Sequence, residues 1–166
     1  MLDSAPPAMG AALAGLLGLV LGSFIAALVQ RWGEGRSILH PPSQCDMCGA
    51  KLTIRDLVPL LSWLALRGRC RHCGAPIPRF SAEIELASLL IGTCSLALVP
   101  GTHGWLLALF GWLLLPLALL DARHLWLPDT LIALLAGTAM LLGLFGVEPS
   151  PVDRLIGAAA GGLTLA

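Results

Sequence analysis

The sequence predicts an all-α, polytopic membrane protein, and three observations predict it. Of its 166 residues 57% are hydrophobic and only 12% charged, with a mean hydropathy of +0.84; soluble domains carry ~25% charge. The apolar residues are grouped, with no charge from Ser4 to Gln30, from Leu86 to Leu120 or from Thr130 to Val147. Runs of ~18 or more apolar residues read as membrane-spanning helices. The charges, though they sum to zero, are segregated: eight of the ten basic residues, from Arg31 to Arg79, stand between the first two apolar runs.

That segregation sets the expected topology. Basic loops stay cytosolic, so residues 31–81 are expected in the cytosol and the N-terminus, with Asp3 and no basic residue, outside. Flanking spans account for the arginines, so no nucleic-acid partner is inferred. The first span lacks the basic start of a signal peptide and is read as retained, despite the A-x-A-like Ala12–Ala14.

The first span covers residues 8–30 within a first region, 1–30. Ala14, Gly18, Gly22 and Ala26 recur every fourth residue, the small-residue face that admits another helix closely. Packing within one bundle is the reading taken, with a homodimer seam as the alternative. A second span is expected over 82–99, with Cys94 as a small buried residue. The turn at Pro100–Gly104 leads to a third span over 105–120, with Trp105 and Trp112 near an interface, and a fourth covers 130–147. A fifth apolar stretch starts at Leu155; to residue 166 it covers ~18 Å at ~1.5 Å per residue, against a ~30 Å hydrocarbon core. The expectation is about five membrane helices, the last incomplete: either a fragment or a chain completed by a partner.

The insert, 31–81, carries Cys45-Asp46-Met47-Cys48 and Cys70-Arg71-His72-Cys73, each pair followed by glycine. C-x2-C pairs about twenty residues apart have zinc-ribbon spacing. A cytosolic setting disfavours disulfides, so structural zinc on Cys45, Cys48, Cys70 and Cys73 is favoured over redox-active pairs. Four thiolates leave no open position, so such a zinc holds the loop rather than catalyses. Between the pairs, Asp56–Leu64 is apolar enough to lie against the membrane face.

Two carboxylates flank the third loop. Asp129, after Pro128, is placed to cap the fourth span. Asp121 falls at the C-terminal end of the third, where the helix dipole disfavours a carboxylate. It is either paired with Arg123 or Arg154, lifted to the interface, or functional, as ionisable groups at membrane depth by default are. Acid proteolysis needs two carboxylates sharing a proton, one activating water while the other polarises the carbonyl.

The order Gly22-Ser23-Phe24, two C-x2-C pairs on a basic loop, Leu66-Arg67-Gly68-Arg69-Cys70, Glu85-Leu86, Asp121 and Leu127-Pro128-Asp129 resembles the prepilin peptidases. These are the bifunctional leader peptidases and N-methyltransferases of type IV pilus and type II secretion systems, and the resemblance covers nearly the whole chain. It implies an aspartic endopeptidase of the bacterial inner membrane. That enzyme cuts the basic leader of prepilins or pseudopilins at the cytosolic face and methylates the new N-terminus with S-adenosylmethionine. It assigns Asp121 as the first catalytic aspartate, Asp129 as the non-catalytic Asp of its motif, and Glu85 to holding substrate or methyl donor. Residues 82–166 would then be the peptidase region, incomplete. Two departures stand out: Ala26 and Gln30 replace an asparagine and a tyrosine common after Gly-Ser-Phe, and the Gly-x-Gly-Asp of the second catalytic aspartate does not occur. On this reading the 166 residues alone are expected to be inactive as a protease. The rival readings are a non-catalytic zinc-ribbon scaffold of a secretion system and a membrane thiol oxidoreductase.

Overall fold

A computed structural model describes residues 7–33, 35, 44–45, 47–51, 53, 58–144 and 148–165. Arg36, Arg55 and the Asp56–Leu57 start of the apolar insert segment lie outside these. The described residues form helices α1 (Pro7–Gly33), α2 (Leu61–Ala65), α3 (Phe80–Leu98), α4 (Thr102–His124), α5 (Asp129–Leu144) and α6 (Pro151–Leu165). They contain no strand beyond two isolated bridges, Gln44 with Lys51 and Arg69 with Pro76.

Three helices are long and apolar enough to cross a membrane: Ala8–Trp32, Phe80–Leu98 and Thr102–His124. At ~1.5 Å per residue the 19 residues of α3 reach ~28 Å, close to the thickness of a hydrocarbon core. Asp129–Gly143 is a shorter apolar helix, and α6 has 15 residues. The described residues thus show a polytopic α-helical chain with three full-length spans and two shorter helices in place of the fourth and fifth runs.

The chain divides into two compact units, Met1–Trp126 and Leu127–Ala166. In the first, the small-residue face of α1 is turned inward: Ala14 is fully buried and Ala26 2% exposed, with Gly18 and Gly22 buried between them. It meets α3 so closely that a Cβ on Gly18 would strike the Ser88 carbonyl, and one on Gly22 would lie 2.7 Å from the Glu85 Cα. The face serves packing inside the bundle, with side-chain-free positions letting the backbones touch.

Farther along the same unit, Ala11, Ala14, Leu96, Ala108 and Trp112 form a buried cluster. Trp112 is 6% exposed, and its indole Nε1 donates to the Ser88 carbonyl at 2.9 Å. Trp112 is the eleventh of the 23 residues of α4, mid-helix and away from either end, so the interfacial placement expected for it is corrected; a satisfied indole N–H lets the ring lie inside. Cys94 is corrected in the opposite sense, since it is exposed on α3.

Helix α4 ends where the chain requires. Leu125 takes a left-handed conformation, φ 49°, and its amide bonds back to the Asp121 carbonyl at 2.9 Å. The Leu127–Pro128 pair then disfavours further helix, because proline restricts the residue before it. In the second unit, α5 opens with Asp129 in its first turn, where the amides of Leu131 and Ile132 reach the Pro128 carbonyl at 3.0 and 3.2 Å.

Candidate functional site

The insert is built from two copies of one turn. In the first, the Gly49 amide bonds to the Cys45 carbonyl at 2.8 Å and the Cys45 amide to the Ala50 carbonyl at 2.9 Å. In the second, Gly74 bonds to Cys70 at 2.9 Å and Cys70 to Ala75 at 2.8 Å. Gly49 and Gly74 have φ of 69° and 70°, the left-handed region that glycine enters at least cost. That is why each Cys-x-x-Cys is followed by Gly-Ala. Each turn presents two sulfurs on one side.

The two turns face each other. The Sγ atoms of Cys45, Cys48, Cys70 and Cys73 all lie within 4.8 Å of one another, and Cys45 Sγ is 3.9 Å from Cys73 Sγ. A tetrahedral ion with ~2.3 Å bonds to sulfur needs S···S separations of roughly 3.8 Å, so the four cysteines fit a metal ion. The backbone is prepared for thiolates. Amide donors from Cys73 and His72, aided by the thiols of Cys45 and Cys73, outweigh burial and lower the Cys70 thiol to about 6. The Ala75 amide pulls Cys73 the same way, but burial and the adjacent sulfurs of Cys48, Cys70 and Cys45 prevail and hold it at about 11. Crowded thiols with opposed shifts are what a cation would resolve, since it favours the charged form of all four.

The second turn is tied to the membrane helices. The Ile77 amide bonds to the Gly68 carbonyl at 2.7 Å, and the Gly68 amide to the Trp63 carbonyl at 2.8 Å. The Trp63 indole reaches the Ile77 carbonyl at 3.5 Å. Just before α2, the Leu60 amide donates to Glu85 Oε2 at 2.7 Å. Glu85 is 6% exposed and also interacts with the Ser23 side chain of α1. Glu85 thus joins the insert, α3 and the Gly-Ser-Phe stretch of α1.

Asp121 stands in the last full turn of α4 and is exposed. Two residues on, the Arg123 guanidinium lies over the Phe80 ring, 3.4 Å from its centroid, so that cation is committed to an aromatic face. Trp126 meets Trp32 of α1 edge-on, ring centroids 6.1 Å apart. These contacts gather the C-terminal ends of α1 and α4, the N-terminal end of α3 and the insert at one end of the first unit. Glu85, Asp121 and the cysteine cluster therefore belong to the same end. Asp129 belongs to the second unit.

Arg123, offered by the sequence as a partner for Asp121, is set on Phe80 instead; Leu60 and Phe80 carried no signal in the sequence.

The family described as bacterial peptidase A24 N-terminal domain matches residues 16–99, just over half the chain. The protein belongs to the bacterial peptidase A24 N-terminal domain family. A prepilin leader peptidase/N-methyltransferase of Myxococcus xanthus (strain DK1622) is 39% identical over 163 residues, covering 90% of this chain and 45% of the relative. Namesakes from Burkholderia pseudomallei (strain K96243) and Aeromonas hydrophila are 37% and 33% identical, covering 96% and 90% of this chain and 60% of each relative. The A24 chain thus spans about half the length of the curated relatives it matches. No solved structure matches it.

Proposed function

We propose that the chain contributes the first span, the cysteine insert and one catalytic carboxylate, Asp121, of an integral-membrane aspartic endopeptidase that removes the leader of prepilins or pseudopilins. The observation that carries the reading is the position of Asp121: exposed, in the last turn of a membrane helix, at the end where the basic insert joins. A leader rich in lysine or arginine meets carboxylates there as its apolar helix remains in lipid. The names of the relatives, prepilin leader peptidase/N-methyltransferase, support that substrate class.

In the proposed reaction two carboxylates share one proton. The ionised one takes a proton from water as the oxygen attacks the scissile carbonyl, and the protonated one polarises that carbonyl. Asp121 is one member. The 166 residues hold no Gly-x-Gly-Asp, so the second carboxylate is expected outside them or from a partner chain. Zinc is the ion proposed for the four cysteines, with a structural role because no coordination position is left open. The basic insert faces the cytosol of a bacterial inner membrane and the N-terminus lies outside. S-adenosylmethionine would supply the methyl group for the newly exposed amine.

The test is leader cleavage of a pseudopilin in membranes. It compares the 166-residue chain, the same chain extended through the downstream coding sequence, and the extended chain with Asp121→Asn. Cleavage by the extended chain alone is expected. Cleavage that survives Asp121→Asn overturns the assignment; cleavage by the short chain moves the second carboxylate inside it, with Asp129 as the candidate.

A further inference from the structure

An apolar surface lies outside the spans, in the insert. Leu61 and Leu64 are 66% and 60% exposed, three residues apart on one side of the α2 turn, and Val58, just before the helix, is 38% exposed. The residues between them are held: the Leu60 amide by Glu85, and Trp63 in the second cysteine turn through Ile77 and Gly68. Arg67 and Arg69 follow at once and are exposed.

Depth decides what covers this surface. Glu85 is the sixth residue of α3, so it lies ~7 Å along the helix from Phe80. With α3 about as long as the hydrocarbon core is thick, the Leu60 amide that Glu85 holds is drawn to within ~7 Å of the bilayer boundary. The segment that follows it cannot stand off in bulk water. On α3 itself Leu86 and Leu90 are 46% and 49% exposed, apolar side chains of the kind a spanning helix turns to lipid. Apolar side chains beside arginines form the pattern of a segment lying in the interface, its apolar side below the headgroups and its cations among them.

We propose that α2 is an interfacial anchor: Val58, Leu61 and Leu64 enter the boundary between headgroups and acyl chains, and Arg67 and Arg69 meet anionic headgroups. Because α2 is bonded to the second cysteine turn, the anchor seats the metal-binding insert on the membrane. The inference rests on the spans and not on the peptidase reading, so either stands if the other fails.

The test places the photo-cross-linker p-benzoyl-phenylalanine at position 61 or 64 of the full chain, reconstituted in phosphatidylglycerol/phosphatidylcholine vesicles, with intact-mass detection. Position 90 on α3 is the lipid-exposed control. Met47, 77% exposed at the tip of the first cysteine turn, is the water-exposed control. Phospholipid adducts at 61, 64 and 90, several-fold above position 47, are expected. Arg67→Gln with Arg69→Gln should shift the adducts from phosphatidylglycerol toward phosphatidylcholine. Retained zinc on the substituted chains shows the insert intact. Adducts at 90 but not at 61 or 64, or cross-links at 61 and 64 to protein instead of lipid, overturn the proposal.

Discussion

The Glu85 carboxylate accepts the Leu60 amide at 2.7 Å, joining two residues 25 positions apart and fastening the cysteine insert to the second membrane helix. The bond is partly buried, and Leu60 holds a φ of 56° that a leucine adopts only when its surroundings demand it. Glu85→Ala should leave the amide unpartnered at a cost of about 1–3 kcal/mol, seen as faster proteolysis of the insert while the spans stay folded. Glu85→Gln keeps an acceptor and should lose about 1 kcal/mol or less. Equal sensitivity of wild type and Glu85→Ala would show that the insert is held elsewhere.

Gly22 tests the packing of α1 on α3. A side chain there meets the Glu85 Cα at 2.7 Å and Ser88 at 2.9 Å, so Gly22→Leu should cost about 1–3 kcal/mol or more through forced separation of α1 and α3. Gly137 in α5 has nothing within 4 Å of an added Cβ, and Gly137→Ala should be neutral or stabilise by up to ~1 kcal/mol. Thermal denaturation in one detergent compares the two.

The Arg123–Phe80 contact should contribute about 0.5–2 kcal/mol. A double-mutant cycle with Arg123→Gln and Phe80→Leu reads it as a coupling energy. A coupling of zero would mean that the contact does not hold the Asp121 turn against α3.

Metal binding should weaken as pH falls, because protons compete with the metal for thiolates. With Cys73 at about 11 and Cys70 at about 6, loading at neutral pH must displace at least the Cys73 proton. Below about 6 it must also displace that of Cys70, so the pH dependence steepens there. Competition against a zinc chelator across pH, with proton release followed in weak buffer, checks both. Cys70→Ser or Cys73→Ser should abolish tight binding.

In the extended enzyme, Asp121→Asn should abolish leader cleavage, and Asp129→Asn should leave it within several-fold of wild type, since Asp129 sits in a first helical turn where a carboxylate has a structural role. The pseudopilin assay separates them. Comparable loss in both would make Asp129 part of the dyad.

What the sequence determined by itself was everything carried by neighbouring residues. Charge-free runs mark the spans, because lipid excludes charge residue by residue. Cys-x-x-Cys-Gly-Ala repeats mark the metal site, because each turn closes within six residues. The fourfold recurrence of small residues marks the face of α1 that packs. Tertiary structure alone decided which way the other faces turned: Trp112 inward, Cys94 outward, Glu85 onto Leu60, Arg123 onto Phe80. A membrane helix is apolar all round, so its sequence carries little periodic signal of which face is inside. Rotation is then settled by close contacts between residues far apart in the chain, and those exist only once the helices have packed.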